Sequence, residues 1–131
     1  MDELPGELMY TSEHEWLRRE EDGSVIIGIT DHAQSALGDL VYVELPEVGQ
    51  ELDVGGDMAV VESVKAASDV FAPIAGTVVA VNEELGDDPE KINVDPYGDG
   101  WIVKIQPGGE IDDGELLAPG AYQTLLDEED A

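Results

Sequence analysis

Val60-Val61-Glu62-Ser63-Val64-Lys65-Ala66-Ala67-Ser68-Asp69-Val70-Phe71-Ala72-Pro73 is the stretch that decides how this chain is read. Apolar, β-branched residues lead into Lys65 and resume after it. The pattern predicts strands over Met58 to Val64 and Val70 to Ile74 with a tight turn between them. Small residues follow the lysine at once, Ala66, Ala67 and Ser68, so Lys65 is presented at a hairpin tip. Bases are scarce, three lysines and two arginines against 32 acidic residues, which makes a cation at this place conspicuous. Taken alone, such a lysine reads either as an exposed turn residue or as a point that a modifying enzyme reaches.

Outward from the hairpin, the chain is mostly strand. Ser24 to Thr30 is apolar and β-branched, Leu40 to Leu45 alternates up to Pro46, and Thr77 to Val81 follows an Ala75-Gly76 turn. A last strand carries Trp101, Val103 and Ile105 on one face and Ile102 and Lys104 on the other. Turn signals at 46–49 and 54–57 separate the runs. Residues 86–100 are rich enough in Gly, Pro and Asp to predict a long irregular loop. Many short strands at this spacing define a small barrel or sandwich, with a faint strand-turn-strand repeat on either side of Lys65. Two short helices flank it. Asp31 caps the first, with Gln34 three residues on and Gly38 at its end. The second runs from about Pro119 to Leu126, with Tyr122, Leu125 and Leu126 on one face, and a solvated acidic tail, 127–131, follows.

Composition narrows the possible roles. The 131 residues, 42% of them hydrophobic, predict one domain with a real core. No apolar run approaches the ~20 residues of a membrane span. The acidic start, Met1-Asp2-Glu3-Leu4-Pro5, resembles neither a signal peptide nor a transit peptide, so a cytoplasmic location is expected. Without cysteine there is no disulfide, thiolate metal site or cysteine nucleophile, and no metal site is expected. A net charge of -27 weakens a compact fold at low salt, whereas at molar salt the Debye length falls to ~3 Å. A halophilic, salt-rich cytoplasm is therefore expected, and nucleic acid is not an expected partner.

At this point six ordered blocks carry a resemblance. They are Tyr10 with His14-Glu15-Trp16; Gly28 to Gln34 with Leu37-Gly38-Asp39; Val43-Glu44-Leu45-Pro46 with Gly49; Glu62 to Ala66 with Ser68-Asp69; Pro73 with Gly76; and Asn82, Asn93, Pro96-Tyr97 and Gly100-Trp101. In these the chain resembles the H proteins of the glycine cleavage system over roughly Met9 to Leu126. The resemblance implies a lipoyl/biotinyl-type barrel-sandwich hybrid with short flanking helices, including the C-terminal one. It implies lipoic acid, covalently bound as lipoyl-lysine on Lys65, within the recognition segment Glu62, Ser63, Val64, Ala66 and Asp69. The activity implied is that of a non-catalytic carrier. It accepts an aminomethyl group from glycine decarboxylase, presents it to a tetrahydrofolate-dependent aminomethyltransferase, and is reoxidised by dihydrolipoamide dehydrogenase. A lipoate ligase or transferase attaches the arm, and no membrane partner is implied.

The chemistry suits these residues. Tethering raises the effective concentration of the reactive sulfur at each partner. The aminomethyl group hydrolyses readily, so a water-shielding cleft is useful, and its cationic amine calls for a carboxylate there. Nearly a quarter of the chain is acidic, so any one acid can be a solvated surface residue. The resemblance assigns the cleft to Glu15 and Asp69 and places His32 near the arm. His14 is expected to be structural, Trp16 and Trp101 to be core, and residues 93–97 to form a structured loop. Glu13 departs from the small polar residue found in many members, and the scarcity of lysine predicts partner docking through short-range apolar and shape contacts.

Other readings fit less well. A biotinyl domain would show Met on both sides of the lysine, where Val64 and Ala66 stand. A 2-oxoacid dehydrogenase lipoyl domain would lack the His14-Glu15-Trp16 and Gly28-to-Gln34 blocks. An enzyme reading finds no phosphate loop, nucleophile elbow or metal triplet. An H-like lipoate acceptor and donor scaffold in lipoate metabolism remains the alternative function.

Overall fold

The computed structural model describes residues 8–108 and 116–130. The N-terminal residues read above for targeting signals, and Ala131, lie outside them. Among the described residues, nine strands and four helices follow in the order β1 (Met9–Tyr10), β2 (Glu15–Arg19), β3 (Val25–Ile29), α1 (Asp31–Leu37), β4 (Leu40–Glu44), β5 (Glu51–Leu52), β6 (Asp57–Ser63), β7 (Ala67–Phe71), β8 (Gly76–Val81), α2 (Glu84–Asp87), α3 (Lys91–Val94), β9 (Val103–Pro107) and α4 (Pro119–Asp130). Two antiparallel sheets form, six strands ordered β1-β2-β3-β9-β8-β5 and three ordered β4-β6-β7. This is the two-sheet sandwich with flanking helices that the sequence predicts.

Strand β3 explains the unbroken apolar run before residue 30. Val25, Ile27 and Ile29 join the main core with Val43, Val61, Val70, Val78 and Ile105. Ile26 turns the other way, into a second cluster with Tyr10, Trp16, Tyr122 and Leu126. A strand covered on both faces has no polar alternation to show. Gly28 faces Trp16 across the β2–β3 ladder, where an added Cβ would stand 2.7 Å from the indole ring. The indole is fully buried, and its Nε1 donates to the Pro96 carbonyl at 2.8 Å. Trp16 is core, as expected, and Trp101 is half-buried against the same cluster.

Several expectations need correction. Thr30, not Asp31, caps α1: its Oγ1 accepts the Ala33 N–H at 3.2 Å, and Gln34 Nε2 donates to Asp31 Oδ1 instead. Gly38 does end the helix, at φ +84. Strand β7 begins at Ala67 rather than Val70, because pairing of Ala67 with Glu62 and Ser68 with Val61 overrides the weak strand propensity of these residues. The last strand runs 103–107, later than its apolar pattern suggests. Residues 86–100 are not wholly irregular. Two single-turn helices, α2 overlapping the start of this segment and α3 within it, are each anchored by one fully buried plug, Leu85 and Ile92. The acids 127–130 continue α4 instead of trailing from it. Strands β1, β2 and β5, short or interrupted by charge, are absent from the sequence reading.

Candidate functional site

The β6–β7 turn is held by one side chain. Ser63 Oγ accepts the amide N–H groups of Lys65 at 3.2 Å and Ala66 at 3.1 Å, and it donates to the Ala66 carbonyl at 3.1 Å. The Ser63 amide closes the hairpin on Ala66 O at 2.7 Å. Val64, 74% exposed, and Lys65 form the apex. A second fixation comes from the α1–β4 junction, where Asp39 O accepts the Val64 N–H at 3.3 Å. The lysine leans on the end of α1: its Nζ donates to Ala36 O at 3.4 Å, and Gly38 leaves room for its Cε. Helix α1 has no base of its own in its last turn, so the ammonium sits where the helix carbonyls favour a cation.

Asn93 braces this junction from α3. Its Oδ1 accepts the Leu40 N–H at 2.9 Å, and its Nδ2 donates to Gln34 Oε1 and Gly38 O, each at 2.9 Å. One amide thereby joins helix end, strand start and α3.

Glu15 opens β2 and is 3% exposed. Its Oε1 accepts from the Thr11 hydroxyl at 3.2 Å, and its Oε2 accepts the Phe71 N–H at 2.9 Å. Burial pushes its carboxyl up to about 7 from an ordinary 4.5. The two hydrogen bonds hold it down, and neighbouring Glu13 raises it a little. Thr11 Oγ1 also accepts the amides of Glu13 and Glu15, so Thr11 organises the whole turn.

The predicted site residues are only partly brought together. Glu15 reaches the strand that carries Asp69, bonding two residues farther along it. Asp69 itself is exposed, pairs with Val60, and lines an open groove of about 440 Å³ with Glu44, Asp57 and Met58. His32 packs against His14, the residue before Glu15, with ring centroids 4.6 Å apart and planes tilted by 36°. Lys65 lies six residues from Phe71, roughly 20 Å of extended strand. Glu62 pairs with Tyr42 and Ala67 beside the tip. Thr11, and the site roles of Tyr122, Thr30 and Asn93, escaped the sequence reading, which placed Tyr122 only on the apolar face of the C-terminal helix. For Thr11 a signal existed, a hydroxyl four residues before a carboxylate, whereas nothing local points to Tyr122.

A two-sheet sandwich with one braced, exposed hairpin has the form of a carrier domain, which presents a group to other proteins. The chain belongs to the glycine cleavage H-protein family, whose model matches residues 8–129. It is 57% identical over 129 residues to a glycine cleavage system H protein of Klebsiella pneumoniae, covering 98% of this chain and all of that one. A Psychrobacter H protein is 60% identical over 126 residues, covering 96% of this chain and all of the relative. The crystal structure of a glycine cleavage system H protein from Mycobacterium marinum superposes with a TM-score of 0.85 at 41% identity, covering 98% of this chain and all of the other. The protein is thus a non-catalytic lipoyl carrier of the glycine cleavage system, working with the enzymes of that system. No helix among the described residues is long and apolar enough to cross a membrane.

Proposed function

We propose that Lys65 is the residue that bears the lipoyl group, in a single carrier domain spanning 1–131, and that Glu62, Ser63, Val64, Ala66 and Asp69 form its recognition segment. The observation that carries this is the hairpin apex. Lys65 stands out from the core on a turn that Ser63 holds in one shape. The residues suit the group. Ala66 and Ala67 are small and exposed, leaving room for an attaching enzyme, and amide formation removes the charge that draws Nζ to Ala36 O. When attached, lipoic acid supplies a disulfide-tipped arm that accepts the aminomethyl group of glycine.

Glu15, Asp69 and His32 are the residues we assign to the shielding of that arm. Glu15 suits an amine because its carboxyl is buried and ionises near neutrality, so its charge answers to the partner beside it. The partners are glycine decarboxylase, the aminomethyltransferase, dihydrolipoamide dehydrogenase and a lipoate ligase or transferase, with neither nucleic acid nor a membrane among them. A salt-rich cytoplasm suits the net charge of -27.

Intact mass with peptide mapping, on protein from its native host, tests the assignment. A lipoyl-sized addition confined to Lys65, abolished in Lys65→Arg, is the expected result. A biotin-sized addition, or a lipoyl group elsewhere, would refute it.

A further inference from the structure

His14 is the one non-glycine residue with positive φ among those described, at +67. That conformation is unfavourable for a side chain bearing a Cβ and persists only where the surroundings enforce it. Its backbone is held on both sides: His14 N donates to Thr11 O at 3.1 Å, and His14 O accepts the Thr30 N–H at 3.0 Å. Its ring is held from far along the chain. Nδ1 lies 2.8 Å from the Tyr122 hydroxyl, and that hydroxyl lies 2.7 Å from Thr30 Oγ1. Thr30 Oγ1 already accepts the Ala33 N–H. Each hydroxyl has one proton and two lone pairs, so the chain of bonds is satisfied in either direction, from Thr30 through Tyr122 to Nδ1 or from Nδ1–H through Tyr122 to Thr30, and the Tyr122 hydroxyl is its centre in both. Tyr122 itself is fully buried and stacked on Tyr10, centroids 4.7 Å apart and planes within 5°. It is a rigid post.

The next residue after His14 is Glu15. A left-handed residue at 14 sets the direction in which the chain enters β2, and with it the aim of the Glu15 side chain at the Phe71 amide. We propose that Tyr122 is a positioning residue for the carrier's arm cleft: its hydroxyl, bonded to His14 and Thr30, keeps His14 left-handed and so keeps Glu15 aimed at β7. Helix α4, which touches neither the hairpin tip nor Glu15 through any of these bonds, thereby supports the cleft from behind. The inference rests on the reading that Glu15 shields the loaded arm.

The test uses the full-length lipoylated protein and two variants, Tyr122→Phe and His14→Phe. The first removes only the hydroxyl. The second leaves Tyr122 intact, replaces the ring nitrogens with an apolar ring, and alters a partly exposed residue, so it stands in if the first fails to fold. Two readouts are taken: the Glu15 carboxyl titration by ¹³C NMR in the unloaded carrier, and the rate of aminomethyl loss from the loaded carrier. Both variants are expected to shift the titration toward the ordinary carboxylate range and to speed the loss at least threefold. Substituting glycine for His14 in the Tyr122→Phe background should recover part of both, because glycine takes a positive φ without strain. An unchanged titration in the folded variants would overturn the positioning role. Glu15→Ala serves as the reference: if its loss rate equals that of the parent, the reading beneath the proposal fails, while the titration still decides whether Tyr122 places Glu15.

Discussion

Glu15 and Phe71 bind the two sheets to each other: the carboxylate at the start of β2 accepts the backbone N–H at the end of β7 at 2.9 Å. The contact puts a buried acid against the edge strand of the three-stranded sheet, the strand that descends from Lys65. An edge amide that would otherwise need water finds an acceptor there.

Glu15 makes stability fall as pH rises. Its carboxyl is raised to about 7 in the folded chain against 4.5, so the folded state holds the proton more tightly than the unfolded state. Its favourable contribution is complete below about pH 4.5 and is lost as the pH climbs through about 7. The full swing is about 3 kcal/mol. Glu15→Gln should therefore be stabilised relative to the parent at pH 8 and gain nothing at pH 4.5, as read from denaturant midpoints. A difference that does not change with pH would contradict the assignment.

Ser63→Ala should loosen the apex. The substitution deletes three hydrogen bonds in one turn, two from amides and one to a carbonyl. Because the turn is partly wet, the loss is roughly 1–2 kcal/mol. The larger effect falls on presentation of Lys65, and in vitro lipoylation with lipoate, ATP and a lipoate ligase should slow at least threefold. A rate equal to that of the parent would show that the enzyme shapes the turn itself.

Asn93→Ala should cost more than its half-buried position suggests, on the order of 2–3 kcal/mol, because it strands the Leu40 amide and the Gly38 carbonyl together. Urea denaturation measures this. A loss under half a kilocalorie would mean that water replaces the amide without penalty.

Salt should raise the melting temperature steadily from low to molar KCl. With five bases against 32 acids, repulsion outweighs attraction, and the ion pairs Arg18–Glu20, Lys91–Glu84 and Lys104–Asp22 are partly exposed, so screening relieves more than it sacrifices. A flat melting series would sink the salt-rich reading.

Turn chemistry and strand periodicity were legible at Lys65, at Gly38 and in the runs that became β3, β4, β6 and β8. Each depends on residues within a few positions of one another. The same local logic misplaced the α1 cap by one residue, since Thr30 and Asp31 are both good caps and only the strand geometry at Thr30 chooses between them. It overlooked β2, whose Glu15, Arg18 and Arg19 hide the apolar pair Trp16-Leu17.

The sequence by itself determined the sheet-rich class, the presented lysine and, through its ordered blocks, the family. Which acid is buried was beyond it. Glu15 and Asp69 are both carboxylates in strands, yet one is 3% exposed with a raised titration and the other stands in the open. Only the tertiary structure decided that, because burial comes from what packs across the gap. The Thr11 hydroxyl, the Phe71 amide and Tyr122, 108 residues from His14, meet around the Glu15 turn only when the sheets and α4 close.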